Sequence, residues 1–229
     1  MDKQMLNNLA RLIDVSCVKT DVTTAQIDAM VLAAKKHQFI CAFAMPCYTE
    51  YLVSRLLSEE AVQVGGVVGF PSGADTTAMK AAQAKELLSF GCKELDMVIN
   101  VGALKSGDDR TVYHDIRTVV ETARGVPVKS ILEVAYLTDS EIERACEIAV
   151  TAGVSFIKTG TGWAGKPTTT GTVSLIKKAV GDKVKIKAAG GIRDLSTLIQ
   201  LHDAGCDRFG IGVSAAIEIM EAAKLVCSQ

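Results

Sequence analysis

What most restricts the fold of this chain is a repeated alternation. Eight short runs rich in apolar or β-branched residues are each followed by a longer stretch with helical periodicity. The runs are 11–16, 39–45, 63–70, 94–101, 127–134, 154–159, 183–189 and 208–212, with starts 24 to 33 residues apart. Strands and helices alternating at this interval make an α/β protein with a parallel sheet. Eight units in 229 residues suit a closed (β/α)8 TIM barrel better than an open doubly wound sheet. The expectation is a single barrel domain over residues 1–229, with no room for a second.

Local signals agree with this division. Thr138-Asp-Ser-Glu141 reads as a capping box, and Asp194-Leu-Ser-Thr197 opens another helix in the same style. Ser89-Phe-Gly91, Thr151-Ala-Gly153 and Asp203-Ala-Gly205 each place a glycine between a helix and the next strand, as a left-handed C-cap requires. The first unit is the weakest, since only Leu12 and Ile13 in it are strongly apolar.

Composition removes several function classes. With 25 basic against 26 acidic residues there is no positive field for nucleic acid or an anionic membrane. No apolar run is long enough to span a bilayer, and the first residues lack the basic-then-apolar form of a signal peptide. Seven cysteines, an odd number without a Cys-x-x-Cys pair, read as reduced core thiols, Cys41, Cys47 and Cys206 among them. His37, His114 and His202 sit apart in separate helix-like segments, so no histidine metal site is expected. The expected protein is cytoplasmic, with neither metal nor cofactor.

The segment Gly160-Thr-Gly162-Trp-Ala-Gly165-Lys166-Pro167 fits the Gly-x-Gly-x-x-Gly pattern and nearly fits a P-loop. Pro167 stands where a P-loop needs a hydroxyl, and the segment belongs to the sixth unit, whereas a dinucleotide fingerprint belongs to the first. Nicotinamide and ATP sites are therefore set aside. A glycine loop after a strand still offers backbone amides to one phosphate. Trp163 reads equally as a pocket wall or a packing anchor, and Lys166 as a solvated loop residue.

The informative residues are charges inside strands. Asp96 sits mid-run in Glu94-Leu-Asp-Met-Val, Lys158 ends Ser155-Phe-Ile-Lys, Lys187 precedes Ala-Ala-Gly190-Gly191, and Glu133 ends Ser130-Ile-Leu-Glu. An unpaired charge inside a barrel costs several kcal/mol. Charges at strand C-termini read as catalytic, because that rim carries the active site. Asp96 could instead be a structural ion-pair partner, with Lys183 and Lys185 on the solvated bottom rim. A lysine nucleophile must be neutral, and burial beside a second ammonium lowers its pKa. Asp96 then serves as acid/base through water. Two lysines and one carboxylate suggest Schiff-base carbon–carbon chemistry.

At these residues the sequence resembles the deoxyribose-phosphate aldolase family. The matching segments are Val67-Val-Gly-Phe-Pro-Ser-Gly73, Glu94-Leu-Asp-Met-Val-Ile-Asn100, Val128-Lys-Ser-Ile-Leu-Glu133, Phe156-Ile-Lys-Thr-Gly-Thr-Gly162 and Lys187-Ala-Ala-Gly-Gly-Ile-Arg193, in the family's order. The resemblance implies a metal-free class I aldolase on a (β/α)8 barrel, converting 2-deoxy-D-ribose 5-phosphate reversibly to acetaldehyde and D-glyceraldehyde 3-phosphate. It makes Lys158 the Schiff-base lysine, Lys187 the second lysine of the proton relay and Asp96 the acid/base. It puts substrate and phosphate contacts at Gly162, Gly190, Gly191, Gly212, Ser214 and Ser16. The partners it implies are small phosphosugars and aldehydes, with a homodimer as the assembly.

The chain departs from the family pattern in places. Gly160 replaces a serine, Phe43 takes a cysteine position, Asp14-Val-Ser16 replaces Asp-x-Thr, the last loop lacks Gly-x-Ser-Ser, and the end reads Cys-Ser-Gln without a tyrosine. These changes touch the substrate pocket more than the lysine chemistry. The alternatives are a related Schiff-base aldolase with a different or non-phosphorylated acceptor, and a non-catalytic phosphosugar-binding barrel.

Overall fold

The computed structural model describes residues 3–227; the departing tail residues Ser228 and Gln229 lie outside the described residues. Strands β1 (Ile13–Cys17), β2 (Cys41–Ala44), β3 (Gln63–Val68), β4 (Glu94–Val98), β5 (Val128–Ile131), β6 (Phe156–Lys158), β7 (Lys185–Ala189) and β8 (Arg208–Gly212) pair in sequence order. All neighbours are parallel, and β8 closes on β1 with Asp14 opposite Gly210 and Ser16 opposite Gly212. This is the expected (β/α)8 barrel.

Most strands are shorter than the apolar runs that signal them. The run from residue 94 leaves the ladder at Val98, and Val101–Lys105 is a short helix. Residues 9–12 form a 3-10 turn, so β1 starts at Ile13. The overshoot has a packing cause: Ile99 and Leu132 follow their strands yet are fully buried, so the apolar signal outlasts the hydrogen-bonded ladder. The punctuation holds up better. The Thr138–Glu141 capping box forms, Asp194 accepts from Thr197 N, and Gly91 and Gly153 cap their helices at φ +106° and +90°.

The main apolar core lies between the outward strand faces and the surrounding helices, with Val15, Ala42, Leu95, Ile157, Ile186 and Phe209 among its strand residues. A separate apolar cluster of Cys41, Phe43 and Val67 comes from the opposite parity of β2 and β3. Alternation along each strand therefore sends apolar residues out to the helices and leaves the other face for polar groups.

Candidate active site

The inward faces build one ionic network. Asp96 on β4 is in register with Lys129 on β5, Lys158 on β6 with Lys187 on β7, and Lys187 with Arg208 on β8. Asp96 Oδ2 accepts from Lys158 Nζ at 2.8 Å and from Lys187 Nζ at 2.6 Å, and its Oδ1 accepts from Lys129 at 3.0 Å. Lys187 Nζ also lies 2.6 Å from Asp14 Oδ2. Below this layer Arg208 donates to Asp14 and to both oxygens of Glu94, and Lys129 donates to Glu94. The sequence-predicted trio of Lys158, Lys187 and Asp96 thus meets at one carboxylate oxygen.

Counting charge decides what this cluster does. Among the described residues the network sets four cations, Lys129, Lys158, Lys187 and Arg208, against three carboxylates, Asp14, Glu94 and Asp96. One cation is in excess in a buried cluster, where an uncompensated charge is very costly. Lys158 is the member that gives way: its pKa falls to about 8, so the excess is released as pH rises through that value. Burial is the main cause, reinforced by the Lys187 and Lys129 ammonium groups and opposed by Asp96. Asp96 goes the other way. Burial alone would raise its pKa, but Lys129, Lys158 and Lys187 hold it well below the ordinary carboxylate range. The same carboxylates keep Lys129 above its ordinary value despite burial. The arrangement offers an amine that is readily neutral, with a fixed carboxylate and a second ammonium within hydrogen-bonding distance.

Lys158 and Lys187 are the members of the trio that reach the cavity. Lys158 keeps 7% of its surface exposed and, with Lys187, lines a cavity of about 340 Å³ bounded by Phe43, Phe70, Trp163 and Gly190. Gly162, Gly191, Gly212 and Ser16 line the same cavity. Ser214 does not: it sits in the first turn of helix Val213–Cys227 and lines a neighbouring cavity of about 360 Å³ shared with Ser16 and Gly212. Trp163 is both wall and anchor, meeting Phe70 edge-on at 6.2 Å while its Nε1 donates to Val18 O at 2.9 Å. Lys166 is an exposed loop residue whose Nζ donates to Ala135 O.

A family model described as DeoC/LacD family aldolase matches residues 1–219. The chain belongs to this family. The deoxyribose-phosphate aldolase of Sinorhizobium medicae is 46% identical over 213 residues, 93% of this chain and 86% of that protein. The one of Methanothermobacter thermautotrophicus is 45% identical, covering 96% of this chain and 97% of its own length. Among solved structures, the tetrameric deoxyribose phosphate aldolase of Aeropyrum pernix superposes with a TM-score of 0.87 at 28% identity, covering 96% of this chain and 93% of that one.

Several site features of this DeoC/LacD aldolase escape the sequence reading. Asp14, Glu94, Lys129 and Arg208 carry more than half of the network's charges, although no role was assigned to them. Arg193 joins the cavity rim from the loop after β7. Glu133 is buried but stands outside the lysine network: its carboxylate accepts from Thr161 N and Oγ1 and so fastens the loop after β6. Gly160 belongs to that fastening, since a Cβ there would fall 2.7 Å from Glu133 Oε1. Cys47 is exposed, contrary to the core reading, because Pro46 starts a helix there and turns position 47 outward. Asp14, Cys41 and Glu94 bring ligand atoms within 4.8 Å, but Lys129 and Arg208 already hold both carboxylates and burial pushes the Cys41 thiol well up. That donor set does not suit a metal.

The Lys158 value gives a pH dependence. The attacking amine is neutral above about pH 8, so imine formation is expected to rise with pH to a plateau beyond that value and to fall about tenfold per unit below it. Single-turnover imine formation measured from pH 6 to 9 checks this, and a flat profile contradicts the shift.

Proposed function

We propose that this chain is a class I aldolase that cleaves 2-deoxy-D-ribose 5-phosphate reversibly to acetaldehyde and D-glyceraldehyde 3-phosphate through an imine on Lys158. The observation that carries the reading is the meeting of Lys158 and Lys187, which both line the cavity, at Asp96 Oδ2 buried behind them. Relatives at 45–46% identity over most of the chain bear the corresponding name, which supports the choice of substrate.

In the proposed cycle the neutral Lys158 amine adds to C1 of the open-chain sugar. Lys187 and Asp96 move protons so that the carbinolamine loses water and becomes a cationic imine. The C3 hydroxyl passes its proton through water to the Asp96 carboxylate, the C2–C3 bond breaks toward the imine to leave an enamine, and glyceraldehyde 3-phosphate leaves. The enamine takes that proton back at C2, and hydrolysis releases acetaldehyde and returns the amine. Hydrogen bonds of 2.8 and 2.6 Å join Lys158 and Lys187 to Asp96, so protons can pass among the three. At the rim, Gly162, Gly190, Gly191 and Gly212, with Arg193 and the N-terminus of helix Val213–Cys227, suit the 5-phosphate through backbone amides and one cation. Ser214, which lines the adjoining cavity, would complete that phosphate site in this reading. Residues 1–229 act as one domain in this reading, and the seven free thiols suit the reducing cytoplasm. A homodimer is proposed as the assembly, whereas the Aeropyrum pernix relative is tetrameric.

Two measurements test the reading. Borohydride reduction in the presence of acetaldehyde is expected to place a two-carbon adduct on Lys158 by peptide mass spectrometry; an unmodified Lys158 overturns it. Turnover is also expected to favour the 5-phosphate over free 2-deoxyribose by about 10²-fold or more in kcat/KM, because phosphate binding is used to orient the sugar. Equal values would assign the chemistry to a non-phosphorylated acceptor, and labelling without turnover on either sugar would favour a binding barrel.

A further inference from the structure

Phe43 stands on the inner wall in contact with the lysines. It is 2% exposed, and its ring centroid lies 4.2 Å from Lys187 Nζ and 5.1 Å from Lys129 Nζ. An ammonium over a ring face is drawn to the ring's quadrupole, most strongly where water is excluded. The ring belongs to the small interior cluster with Cys41 and Val67 and takes no part in the main core. Its place is set by its neighbour in register, Gly65 on β3, where an added Cβ would lie 2.2 Å from Phe43 Cε1 and Cζ. On the far side of Lys187, a Cβ at Gly210 would lie 3.2 Å from Lys187 Cε. Lys187 is therefore enclosed by the carboxylates of Asp14 and Asp96, the face of Phe43 and bare backbone at Gly210. A side chain at position 65 or 210 would open that enclosure.

We propose that Phe43 is a positioning residue for the reaction, whose ring face fixes the Lys187 ammonium against Asp96 and beside the Lys158 amine. This rests on the aldolase reading above. Lysine carries four flexible side-chain bonds, and two carboxylates alone leave its ammonium free to swing between them. The ring closes the third side without offering a competing acceptor. Asp14, Asp96 and Lys158 face Lys187 from β1, β4 and β6, so a small displacement of Nζ alters its distance to each of them. An aliphatic side chain of similar volume would fill the space but would not hold the cation.

Ring fluorination separates these two roles, because it drains the π face while nearly conserving shape. Phenylalanine, 4-fluoro-, 3,5-difluoro- and 3,4,5-trifluorophenylalanine are placed at position 43 of the full chain, alongside Phe43→Leu and Gly65→Ala. The expected result is a stepwise fall in kcat along the fluorine series, reaching about 3-fold to 30-fold, with KM held within roughly twofold. Phe43→Leu and Gly65→Ala are expected to show the same split of kcat against KM. Constant kcat along the fluorine series would overturn the proposal even if Phe43→Leu fails to fold. Borohydride labelling of the unsubstituted enzyme keeps the two readings apart. A labelled Lys158 with a flat series removes only the role of Phe43, whereas an unlabelled Lys158 removes both.

Discussion

Lys158→Met is expected to abolish cleavage and to raise the melting temperature in the same variant. Without the amine no imine forms, and loss of a covalent nucleophile lowers kcat by about four orders of magnitude or more. The gain in stability follows from the charge count. Methionine removes the excess cation, and the drop of the Lys158 pKa from 10.5 to about 8 corresponds to roughly 3 kcal/mol of unfavourable burial. For a chain of this size that is a rise of about 5–10 °C by calorimetry. The sign also dictates a pH dependence. The amine binds its proton less tightly folded than unfolded, so the penalty is full below about pH 8 and shrinks as pH rises through that value. It is gone once the unfolded lysine also loses its proton near 10.5. The advantage of the variant over the parent should therefore vanish between neutral pH and about 10.5. A variant that is inactive and no more stable than the parent at pH 7 would contradict the charge count.

Asp96→Asn should move both quantities downward. The carboxylate it replaces accepts from Lys129, Lys158 and Lys187, and an amide oxygen carries no charge to offset them. Breaking a buried ionic cluster by removing one partner costs about 3–5 kcal/mol, which appears as a melting point lower by about 10 °C. The Asp96 pKa lies well below that of an unfolded aspartate, so its stabilisation is complete at neutral pH. It is lost only when pH falls through the folded value. The variant and the parent should therefore differ at pH 7 and converge in strong acid. Activity should fall by about 10²-fold to 10⁴-fold, since proton transfer loses its carboxylate. Double substitution with Lys187→Met, which removes an opposing charge, is expected to recover part of the stability and none of the activity.

Much of the fold was legible because strand and helix periods alternate eight times, and only a closed parallel sheet accommodates that count economically. The boundaries were less legible, since residues such as Ile99 and Leu132 stay buried after the ladder ends. In the site, Lys158, Lys187 and Asp96 stood out as charges among apolar neighbours. Of their partners only Glu94 shares a strand with one of them, while Asp14, Lys129 and Arg208 come from β1, β5 and β8. Glu94 and Asp96 are two apart, as are Asp14 and Ser16, and a spacing of two puts both on one face. Strands of three to six residues leave parity ambiguous, however, and the contacts themselves join positions 33 to 194 apart in the chain. Cys47 was misread for a related reason: apolar surroundings signal burial, but Pro46 changes the period from two to 3.6 just before it.

The interior network has a further property in its order along the chain. Among the described residues, its three carboxylates come from β1 and β4, and its four cations from β5, β6, β7 and β8. The first four strands thus bring negative charge to the axis and the last four bring positive charge. A half-barrel built from either set would expose a lining of one sign, and two identical halves placed face to face would repel along the whole seam. Opposite halves attract. The charge pattern around Lys158 therefore also favours completion of the barrel by the unlike half over exchange with the same half of another copy.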